Sequence, residues 1–195
     1  MRDGFRTQTH PVSLARLRGL FGEIAELKRV TSARMGGESV AATRFTLTWA
    51  RLAAGDDPYD IARDEMAAAA VHVIMGPIDD AALADSGVSN DRRVEMYRDA
   101  IARAFAPCEI APSEAVMQSV DRLVGATHDP AHIPDFVPLL AAQPRAGAVA
   151  ADAPRLVLSP QESHAEHCWS VAVMAATLAE FWSDGAADIG DVFLL

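Results

Sequence analysis

Along most of this chain apolar residues recur at three- and four-residue steps, the period of helices with one buried side. Leu14, Leu17, Phe21, Ile24 and Lys28 form one such stripe, with Leu20 and Leu27 beside it, until Met35-Gly36-Gly37 interrupts it. A stripe of this kind reads as core before it reads as a partner surface. Residues 39–54 carry two periods at once: Phe45, Leu47 and Trp49 alternate like a strand, while Phe45, Trp49 and Leu52 fit a helix. Alanine-rich flanks and Gly55 as a stop favour the helix. Asp57-Pro58 starts the next one, a cap followed by a proline that needs no N–H, and the apolar pattern runs to Gly76-Pro77. Further starts are expected at Asp79-Asp80 and Ser89. Val94, Tyr97, Ile101 and Phe105 follow the second of these in register. Ser113 precedes Val116, Val120 and Leu123, and Gly125 closes that helix. The string from 127 to 136 is a proline-rich turn, and 143–157 is small, proline-bounded and linker-like. The expected fold class is all-α, with roughly seven to nine helices.

Composition narrows the classes of function. Half of the 195 residues are apolar and few are aromatic, as packed helices require. The longest apolar run, Ala67 to Met75, is broken by His72, so no membrane span is expected and a membrane is not among the expected partners. No secretory leader is legible behind Arg2, Asp3 and Arg6, and the two cysteines, Cys108 and Cys168, form no framework. A reduced, cytoplasmic setting follows as the expectation. The formal charge of −10 argues against nucleic acid as a partner, because phosphate contacts need clustered Lys and Arg. Residues 1–34 nevertheless hold seven Lys and Arg against three Asp and Glu. That basic end is expected to meet the acidic remainder of the same protein in preference to a separate acidic partner.

Most candidate chemistry has a plain structural reading. His72 lies in an apolar segment and is expected to be a satisfied core residue. Asp79 and Asp80 precede a short helix, so capping is preferred over acid–base work. Cys108 has no basic neighbour in sequence to favour a thiolate. His128-Asp129 and His132 could suggest a metal site, but Pro130 and Pro134 make that string turn chemistry. There is no internal repeat, glycine-rich phosphate loop, Gly-x-Ser-x-Gly elbow or zinc-spaced cysteine set.

Residues 159–182, SPQESHAEHCWSVAVMAATLAEFW, are the most informative. Ser159, Pro160 and Glu162 read as a capping box with proline in the first turn. Cys168, Val171, Ala172, Ala175, Leu178, Ala179 and Trp182 continue the helical period to a stop at Asp184-Gly185. His164 and His167 stand three apart near the start, on neighbouring sides of one turn, and are candidate metal ligands.

The string Glu162-Ser163-x-Ala165-Glu166-His167, followed by an Ala-, Val- and Leu-rich helix, resembles the first metal-ligand motif of the HD-domain phosphohydrolases, most closely their nucleotidase-like branch. The resemblance spans roughly residues 158–195. It implies that His167 is the first ligand of a divalent metal ion, with His164 a weaker candidate. Glu162 and Glu166 would be helix-start groups or supports for the ligands rather than the catalytic base. In that family a later His-Asp doublet and a distal Asp complete the site, and the metal activates water against a phosphoester, so a small phosphorylated substrate is implied. The sequence departs from the pattern at His164, where an aliphatic residue is usual, and at Ser170, where a basic one is frequent.

No doublet follows. The chain ends in ADIGDVFLL, whose apolar side chains need something to pack against. The expectation is therefore an N-terminal helical region over 1–142, a linker over 143–157, and the opening helices of an HD-like domain over 158–195. The chain would be the N-terminal portion of a longer metal-dependent phosphohydrolase and inactive alone. The alternative is a non-catalytic helical module for regulation or protein interaction, with a protein partner or a second copy meeting its N-terminal helices.

Overall fold

The computed structural model describes residues 14–31, 36–126, 133–143, 163–182 and 189–194, except for the side chain of residue 182. Among them are nine α-helices and no strand beyond one isolated antiparallel bridge between Thr31 and Ser39. The helices are α1 (Leu14–Glu26), α2 (Val40–Ala54), α3 (Pro58–Met75), α4 (Asp80–Asp85), α5 (Asn90–Phe105), α6 (Glu114–Leu123), α7 (Phe136–Ala142), α8 (His164–Trp182) and α9 (Ile189–Leu194). Side-chain oxygens start most of them by accepting from a free backbone N–H. Ser39 accepts from Ala42 N at 3.1 Å, Asp57 from Tyr59 N at 2.8 Å and Ser113 from Val116 N at 3.2 Å. Gly55, at φ 90°, ends α2 in the left-handed conformation that a side chain would strain. The helical reading of residues 39–54 is thus the correct one.

α3 is the axis of the fold. Ile61, Ala62 and every residue from Asp64 to His72 are buried, so this helix is apolar nearly all round and needs neighbours on every side. It packs against α5, α6, α8 and α9, and further against α2 and α1. The run Ala67–Ala70 lets those helices approach closely, because a methyl group is all that projects. The helices before and after residues 143–157 share this core, which includes Leu17, Ile61, Ile101, Val116, Trp169, Val173 and Phe193.

Two acids interrupt the apolar surface of α3, and neither is exposed. Glu65 accepts from Arg44 Nε at 2.9 Å and from Arg44 Nη2, and it also accepts from the indole Nε1 of Trp169 at 2.9 Å. Asp64 takes Arg51 Nη1 at 2.9 Å and, from the other side, Arg122 Nε at 2.9 Å and Nη2 at 2.7 Å. A buried carboxylate is tolerated only when paired and hydrogen-bonded. Here that requirement pulls α2, α6 and α8 onto α3.

Three expectations need correction. The buried edge of α1 is Leu17, Leu20, Ile24 and Leu27, while Leu14 is exposed and Phe21 only half-buried, so the stripe is rotated from the one read in sequence. The proline-rich string expected to be a turn up to residue 136 is followed, within the described residues, by a helix, α7, that begins at Phe136. Its Pro138 is tolerated because it falls in the first turn, and Phe136 sets its ring edge-on against Trp49 at 4.9 Å. The apolar segment at 189–194 does have partners in this chain, since Ile189 and Phe193 are buried against α3 and α8. The candidates His128, Asp129, His132, Ser159, Pro160 and Glu162, and the stop at Asp184-Gly185, lie outside the described residues.

Glu65→Ala is expected to cost about 3–5 kcal/mol in urea unfolding, because it strands a buried guanidinium and an indole N–H. The double variant Arg44→Met/Glu65→Leu should lose less than that single change. A loss below about 1 kcal/mol for Glu65→Ala would show that the pair does not constrain the fold.

Candidate functional site

The start of α8 is built by a reciprocal cap. Ser163 Oγ accepts from Glu166 N at 3.2 Å, and Glu166 reaches back to accept from Ser163 N at 2.6 Å. This is a Ser-x-x-Glu capping box four residues beyond the one read at Ser159. The second carboxylate oxygen of Glu166 accepts the hydroxyl of Ser39, which is itself the cap of α2. Two helix N-termini therefore converge on one buried carboxylate. Glu166 caps the start of α8, and its oxygens are already engaged.

Beside this junction lies an open cavity of about 530 Å3, whose walls include Lys28, Arg29, Glu38, Ser39, Ser163 and Glu166. Arg29 also pairs with Glu26 at 3.0 Å, an exposed pair that holds it weakly. Arg16 of the basic N-terminal segment lies 3.5 Å from Glu109.

His164 is exposed and its N–H donates to Gln143 O at 2.9 Å, closing the approach of α7 to α8. His167 is partly exposed, with its N–H donating to Ser163 O at 3.2 Å. Cys168 adjoins it, its thiol pushed above the usual range by burial. Among the described residues no group of three or more His, Cys, Asp or Glu side chains stands close enough to hold a metal ion. His164 and His167 supply at most part of a coordination sphere, so the described residues do not by themselves fit a divalent ion.

A second concentration of chemistry brings together residues that the sequence offered only one by one. A cleft of about 170 Å3 opens near the C-terminal end of α3, lined among others by Arg44, Val71, His72, Asp79, Asp80 and Tyr97. His72 Nδ1 lies 2.8 Å from Gly76 O. Since a carbonyl only accepts, this nitrogen carries the proton and Nε2 keeps its lone pair. Burial is the main cause that lowers the His72 pKa to about 4, with Arg44 adding to the effect and Asp79 and Glu65 opposing it. His72 is thus the satisfied core histidine that its apolar setting suggested. Burial also pushes the Tyr97 hydroxyl upward, helped by Asp80 and Asp79.

The Asp79-Asp80 pair divides its work. Asp79 caps α4 through Ala82 N at 2.7 Å. Asp80 instead accepts from Gly125 N at 2.8 Å and sits 3.1 Å from Arg93 Nε, an ion pair off the hydrogen-bond line. Capping describes only the first of the two. Cys108 is buried, and burial raises its thiol, in keeping with a passive group.

Glu166→Ala should cost about 1–3 kcal/mol, because the Ser39 hydroxyl and the Ser163 N–H both lose a buried acceptor. Urea unfolding measures it, and a neutral result would remove the junction from the account. His72 gives a prediction in pH. Its folded pKa lies below the unfolded value of 6.5, so the unfolded chain binds the extra proton first. Its stabilising share is fully present above about pH 6.5 and is lost as pH falls toward 4, to a total of about 3 kcal/mol. In His72→Asn the fall in stability over that window should be shallower by this amount, and an unchanged slope would contradict the assignment. No protein-family model, curated protein or solved structure matches this chain.

Proposed function

We propose that this chain is the N-terminal portion of a metal-dependent phosphohydrolase of the HD type, acting on a small phosphoester such as a nucleotide. The observation that supports this most is the placement of His167. It sits in the opening turns of a long helix whose inner side is buried, at a start pinned by Ser163 and Glu166 and tethered to α2 by Ser39. His167 keeps part of its surface in water instead of being packed away among aliphatic side chains. On the neighbouring cavity wall Lys28 and Arg29 suit an anionic substrate.

In this reading His167 is the first metal ligand and His164 the weaker candidate. The other ligands come from outside the described residues. The ion is divalent, and no catalytic step is assigned to the residues described. Glu166 holds the helix start and is not the base, since both its oxygens are occupied.

A second reading, a non-catalytic helical module that binds a protein partner, is favoured by α7. Leu139 is 69% exposed and Phe136 is 40% exposed beside Trp49, an apolar surface of the kind that marks interaction sites.

The coding sequence beyond Leu195 separates the two. The enzyme reading expects a His-Asp doublet shortly downstream. Expressed with that downstream sequence, the protein should copurify with a divalent metal and hydrolyse a phosphoester. His167→Ala should weaken metal binding at least about 100-fold with unchanged helix content by circular dichroism. An absent doublet, or metal and turnover indifferent to His167, would overturn the enzyme reading and leave the module.

A further inference from the structure

We draw no further inference here: the strongest candidate, the apolar outer face of α8 on which Val171 is 45% exposed and Cys168 and Leu178 are half-buried, carries nothing because no described feature of the structure shows what covers it.

Discussion

Two adjacent carboxylates with no access to water set the terms for this fold. Asp64 and Glu65 project from the same turn of α3 in different directions, and each must find cations before the helix can be covered. Apolar burial alone would accept many ways of laying helices around an alanine-rich axis, because small side chains give weak registration. Charge pairing accepts few. Arg44 fixes the rotation of α2, Arg122 that of α6, and the indole of Trp169 sets the depth of α8. Such pairs add little net stability over well-packed apolar residues; what they exclude is the wrong partner.

That constraint also explains which features were legible beforehand. Helix starts with a lone cap and a clean apolar period, at Asp57-Pro58, Ser89 and Ser113, could be read directly, because the physics that makes them is local. Residues 39–54 were resolved by their flanks even though both periods were present. α7 was hidden because prolines at 134 and 138 dominate its local signal. The acids of α3 did leave a trace, an Asp-Glu doublet inside an apolar run, and a buried charge demands a partner; which arginines answer is decided only by the tertiary fold.

The candidate sites divide in the same way. His164 and His167 were identifiable by residue type and spacing, and the structure adds how their helix is held. Two Ser-x-x-Glu strings lie in tandem before α8, and nothing local ranks them; at Ser163 the box is completed by Ser39, 127 residues away. Tyr97 counted only as one member of an apolar stripe. The fold sets it on the same cleft as His72 and the Asp79-Asp80 pair, and no periodicity carries that information.

The hydroxyl of Ser39 serves two masters: its oxygen receives the Ala42 amide and its proton goes to Glu166. The ends of α2 and α8 are thereby joined through one rotor. Helix ends ordinarily fray independently, each opening on its own, but here loosening either first turn disturbs the acceptor on which the other relies. The segment that presents His167 thus inherits the rigidity of a helix placed far from it in sequence.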